Sequence, residues 1–168
     1  MSRTRPRVPV TVELQDATGD TNLPAPTEWK RWVGAALERA GECAPGSITV
    51  RLVGREESRQ LNATYRKKTG PTNVLAFPGP AVDPPLSKSD REGVDRELGD
   101  LVICMPVVYA EAQDQGKAPE AHMAHMVIHG TLHLFGFDHE SDVAATRMES
   151  LETEIMHKLG FADPYEQD

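Results

Sequence analysis

Aromatic side chains are scarce in this chain, which has two Trp, three Tyr and four Phe among 168 residues, and it has only two cysteines. Cys43 and Cys104 lie far apart, and the first residues lack an apolar run of signal-peptide length. Together these absences lead to the expectation of a reduced, cytoplasmic protein. Cys104 ends the apolar run Leu101-Val102-Ile103 and reads as a small buried hydrophobe. No stretch approaches the roughly 18 uninterrupted apolar residues of a membrane span, so no membrane partner is expected. An excess of basic charge is also missing. The net charge of −8 argues against a broad basic surface for nucleic acid, so any RNA contact has to be local. Two clusters could supply one. Arg3, Arg5 and Arg7 read as a solvated tail over residues 1–7, and Arg66-Lys67-Lys68 lies inside the chain. What remains is an ordinary soluble composition at a length that suits one domain.

Hydrophobic periodicity and turn chemistry divide the chain. Residues 8–14 alternate like a strand. Trp29, Trp32, Val33, Ala36, Leu37 and Ala40 then recur at helical spacing behind Thr27 as a candidate cap. Residues 47–53 read as a strand, and 56–65 as a short helix with Leu61 and Tyr65 turned inward. Thr69-Gly70-Pro71 makes a turn before a strand at 73–77, and the Pro/Asp/Ser-rich residues 79–96 read as a surface loop. A strand at 98–104 follows. Pro106 and Pro119 each open a helix, the second carrying the stripe Ala121, Ala124, Ile128, Leu132 and Phe135 as far as Gly136. Ser141 caps a last helix with Ala144, Met148, Leu151, Ile155 and Leu159 on its buried side. The expected fold is α+β, one domain over 1–168 with a small mixed sheet packed by helices.

The chemistry concentrates at the end of the helix opened by Pro119. His129 and His133, four residues apart, stand one above the other and can share a metal ion. For two histidines alone, coincidence on a helix surface is a competitive explanation. Gly136 lets the chain reverse, and His139 then returns six residues after His133, which favours a metal site. Three neutral imidazoles suit Zn²⁺ and leave a fourth tetrahedral position for water or substrate. This helix and glycine turn are metzincin-like, but metzincin proteases carry a general-base Glu directly after the first His. Here that position is Gly130, which has no side chain to take a proton.

The run HGTLHLFGFDH resembles the signature of the YbeY family of bacterial rRNA-maturation endoribonucleases. Leu61-Asn62, Tyr65-Arg66, Pro71-Thr72-Asn73-Val74-Leu75, Phe77-Pro78, Leu98-Gly99-Asp100, Leu151-Glu152 and Leu159-Gly160 resemble family segments in the same order, over roughly residues 45–165. The resemblance implies one zinc ion on His129, His133 and His139, and cleavage of single-stranded RNA, including maturation of the small-subunit 16S rRNA 3′ end and ribosome quality control. It also implies the ribosomal small subunit, one of its proteins and an Era-type GTPase as partners. The departures, an Arg-rich beginning and the 79–96 loop, leave the metal signature intact.

Arg66 aligns with the family's functionally important arginine, which makes it the candidate catalytic group for charge gathering on a phosphodiester. Taken alone, the sequence favours a solvated arginine at a helix end. Lys67 and Lys68 read as phosphate-steering or solvated charges. Asp138 has two readings, a carboxylate orienting an imidazole or a turn residue. His125 reads as a hydrogen-bonded structural histidine, and His122 lies about 10 Å along the helix from His129, too far for the same ion. His157 answers a helix dipole, and Asp100 is assigned no role. Two rival functions stand beside the nuclease: a zinc peptidase, and a non-catalytic assembly factor with a structural zinc.

Overall fold

In the computed structural model, which describes residues 10–40, 46–80 and 96–166, the sheet has Leu101, Val102, Ile103 and Cys104 buried on its two faces and is built of four strands. They are β1 (Val10–Asp16), β2 (Gly46–Val53), β3 (Val74–Pro78) and β4 (Arg96–Cys104). In β2, Ile48, Val50 and Leu52 are fully buried while Ser47, Thr49 and Arg51 are half-buried on the opposite face. The sheet order is β1-β2-β4-β3. The first two pairings are parallel and β3 runs antiparallel to β4, with a bulge where Ser47 meets Glu97 and Ile48 meets Gly99.

Among the described residues five α-helices pack around this sheet, α1 (Pro26–Arg39), α2 (Arg55–Leu61), α3 (Met105–Asp114), α4 (Pro119–Leu134) and α5 (Asp142–Lys158), the last of them lying on α4 and α1. The fold is α+β, as expected. Trp29, Trp32, Val33, Ala36 and Leu37 of α1 join Ile48, Val50, Leu52, Leu101 and Ile103 from the sheet in the main core. α4 runs through its middle, with Ala124, Val127, Ile128 and Leu132 fully buried. On the other sheet face, Val53, Leu75, Val102 and the free Cys104 form a smaller cluster beneath Leu61. Among the described residues no helix is long and apolar enough to cross a membrane.

Local structure departs from expectation in two places. Ala25, not Thr27, is the N-cap of α1, because Pro26 takes the first helical position, where its fixed φ and missing N–H fit. Tyr65 is 63% exposed instead of turned inward. Behind α2 the chain widens into a π turn (Asn62–Arg66), with the Lys67 N–H reaching back to the Asn62 carbonyl. That i→i+5 bond breaks the 3.6-residue period on which the inward placement rested. Tyr65 instead packs edge-on to Phe77, with ring centroids 5.2 Å apart. The expected tail over 1–7 and most of the expected loop, residues 81–95, lie outside the described residues, as does Cys43.

Candidate metal centre

α4 ends as its sequence requires. Gly136 adopts φ +88°, and Gly136 and Phe137 return backbone N–H bonds to the carbonyls of His133 and Leu132. These two bonds form a Schellman turn, whose left-handed residue costs glycine little. The reversal carries His139 back over the helix end. Its ring stacks at 5.0 Å on His129 and lies 5.5 Å from His133. One ligand nitrogen from each of the three histidines falls within 4.8 Å of the others.

The donor set fits a zinc-sized ion. The Nε2 atoms of His129 and His133 face each other 3.1 Å apart. Two nitrogens each about 2.0–2.1 Å from a tetrahedral zinc would be about 3.3 Å apart. On the far side of the ring, His129 Nδ1 lies 2.5 Å from Glu152 Oε1. A carboxylate accepts only, so Nδ1 carries a proton, and in the neutral ring the lone pair is then on Nε2, the nitrogen that faces His133. Burial, then the neighbouring His129 and His139, hold His133 below the ordinary histidine range, which favours the neutral form a metal needs.

Glu152 was not legible as a site residue, although its position offered a signal. It sits on the α5 face formed by Met148, Ile155 and Met156, and a carboxylate among core positions calls for a partner. It is fully buried. Burial pushes its carboxyl up, but the imidazoles of His125 and His129 outweigh that and bring it to about 2. Its other oxygen, Oε2, accepts a hydrogen bond from the Tyr165 hydroxyl. Burial and that carboxylate in turn push the phenol up, so it stays protonated.

The remaining candidates separate clearly. His125 is 7% exposed, a buried structural histidine as expected, but its Nε2 lies 3.4 Å from Glu152 Oε1 without hydrogen-bond geometry, so the expected hydrogen bond is not made. His122 is buried and pairs with Glu111, 3.0 Å away, which also accepts from Asn73 Nδ2. Asp138 Oδ1 accepts from the Glu140 N–H, which makes it a turn residue, and Glu152 is the carboxylate on an imidazole.

Arg66 faces the histidines across a cleft of about 290 Å³, which Lys68, Asn73, His129 and His133 also line. Its Nη2 donates to the Ala76 carbonyl at 2.8 Å. The turn behind it is pinned by Asn62 Nδ2 donating to Gly70 O, and by Ser58 Oγ exchanging bonds with Thr72. Gly130 lines the same cleft, on the side where α4 meets the sheet. A Cβ there would sit 2.9 Å from Leu101 Cδ2 and 3.1 Å from Val74 Cγ2, so a side chain at the position that carries the protease general base would have to displace the end of Leu101.

The model of the family described as endoribonuclease YbeY matches residues 14–160. The chain belongs to this family. It is 48% identical over 149 residues to the endoribonuclease YbeY of Alkalilimnicola ehrlichii, covering 87% of this chain and 84% of that protein. It is 45% identical over 162 residues to the endoribonuclease YbeY of Nitrosococcus oceani, covering 94% and 97%. The solution structure of TM1509 from Thermotoga maritima shares the fold with a TM-score of 0.52 at 22% identity, covering 94% of this chain and 99% of that one. The three histidines and Arg66 all fall within the segment matched to the YbeY family.

Proposed function

We propose that this protein is a zinc-dependent endoribonuclease that cleaves single-stranded RNA and matures the 3′ end of small-subunit 16S rRNA, with a part in ribosome quality control. The observation that carries this reading is the cleft in which Arg66 and Lys68 face His129 and His133. Membership of the YbeY family supports RNA as the substrate.

His129, His133 and His139 would hold the zinc, which when bound supplies Lewis acidity toward a phosphoryl oxygen. Arg66 stabilises the charge that gathers on the phosphodiester oxygens. One of its five N–H donors is committed to Ala76, which aims the guanidinium and leaves the others for phosphate. Lys68 adds positive charge where the strand's backbone enters. The small subunit, one of its proteins and an Era-type GTPase are the proposed partners, in the cytoplasm.

A second reading, a non-catalytic assembly factor with a structural zinc, is favoured by the net charge of −8, since an enzyme acting alone on RNA gains from a wide basic surface. A peptidase reading is not supported, because Gly130 stands where its general base would be and has no side chain to take a proton.

The deciding experiment compares zinc-verified wild type with His133→Ala and Arg66→Ala on a single-stranded fragment spanning the small-subunit rRNA 3′ end. Wild type should cut, and both variants should fail, Arg66→Ala while retaining zinc. Identical behaviour of all three preparations would refute the nuclease reading and leave the assembly factor.

A further inference from the structure

We propose that Glu152 and Tyr165 are positioning residues of the metal centre, the buried carboxylate and the C-terminal tyrosine together fixing His129 so that it presents Nε2 to the ion. The inference rests on the metal-centre reading above and extends it to two side chains outside the ligand set.

An imidazole on a helix has two tautomers and a broad ring torsion, so a ligand histidine needs something to choose between them. Glu152 Oε1, 2.5 Å from His129 Nδ1, makes that choice from the side opposite His133. Among the described residues, His129 alone of the three histidines meets a carboxylate on its second ring nitrogen. The site is also costly to maintain. A fully buried carboxylate is tolerated only with its lone pairs engaged, and an apolar residue among Met148, Ile155 and Met156 would pack there without that demand. Both oxygens are used, and they are used differently. Oε1 serves His129, while Oε2 takes the Tyr165 hydroxyl.

Tyr165 reaches Glu152 because the chain folds back after α5. Phe161 packs edge-to-face on Trp32 at 6.4 Å, and Lys117 Nζ donates to the Pro164 carbonyl. The tyrosine ring then lies 5.3 Å from His125, its outer part open to solvent and its hydroxyl directed inward. The last residues of the described chain thus brace the first metal ligand from behind. Orienting partners of this kind raise the basicity of a ligand imidazole and hold its ring in place, and their loss weakens metal binding.

The test measures zinc affinity by competition with a chromophoric chelator, and the ligand-field spectrum of the Co²⁺-substituted protein, for wild type, Glu152→Gln, Tyr165→Phe and the double variant. Thermal unfolding of the metal-free proteins serves as the folding control. Glu152→Gln should weaken zinc binding by about 10–100-fold and alter the Co²⁺ spectrum. Tyr165→Phe should give a smaller loss in the same direction, and no further loss when added to Glu152→Gln, because it acts through that carboxylate. Should Glu152→Gln fail to fold, Tyr165→Phe carries the test alone. Zinc affinity and Co²⁺ spectra equal to wild type in every folded variant would overturn the proposal and leave the metal centre standing. Wild type that binds no zinc would overturn both.

Discussion

Two helical glycines should respond to the same substitution with opposite signs. Gly130 sits where α4 crosses the sheet, and an added Cβ would stand 2.9 Å from Leu101 Cδ2 and 3.1 Å from Val74 Cγ2. Ordinary carbon–carbon contact is about 3.5–4.0 Å, so Leu101, fully buried in the main core, must move by about half an ångström or more. Such overpacking costs about 1–3 kcal/mol, against which Gly→Ala in a helix regains up to about 1 kcal/mol. Gly130→Ala should therefore destabilise the protein by about 1 kcal/mol, with a range of about 0–2. In α1, a Cβ on Gly34 meets nothing within 4 Å. Gly34→Ala should accordingly stabilise by up to about 1 kcal/mol. Urea unfolding of the metal-free proteins measures both changes, and each kcal/mol corresponds to about 2–4 °C in Tm at this size. If Gly130→Ala stabilised as much as Gly34→Ala, the close approach of α4 to Leu101 and Val74 would be refuted.

Gly136→Ala places a Cβ at φ +88°, and should cost about 1 kcal/mol of stability and weaken zinc binding by displacing His139; unchanged zinc affinity would remove the turn from the site's construction. Ser141 Oγ accepts the Ala144 N–H at 3.0 Å, so Ser141→Ala should lower unfolding free energy by about 0.5–2 kcal/mol, measured in urea. Glu152 has a folded pKa of about 2 against an ordinary 4.5, so its contribution to stability is present above pH 4.5 and lost as pH falls from there toward 2. Glu152→Gln should flatten the unfolding free energy of the metal-free protein across that window, and an unchanged slope would show that the carboxyl is not held low.

What local rules could decide, the sequence alone decided. The i,i+4 spacing of His129 and His133 fixes two rings on one side of a helix, and Gly136 supplies the one backbone conformation that brings His139 back to them. Ser141, Pro106 and Pro119 mark helix starts by the same short-range logic, and the ordered motifs from Leu61 to Gly160 carried the family. The π turn after Leu61 was not legible, because nothing in Asn62–Arg66 distinguishes an i→i+5 bond from an i→i+4 bond until Asn62 is tied to Gly70. Thr27 looked like a cap by residue type, yet Pro26 before it took the first turn. Only the tertiary structure placed β4 between β2 and β3 and brought Arg66 into one cleft with His129 and His133. It alone joined Glu152 to His129 across 23 residues, and Tyr165 to Glu152 from the chain's far end. Those contacts depend on how α4, α5 and the final turn pack on one another, and packing is a long-range property that no spacing within a single helix encodes.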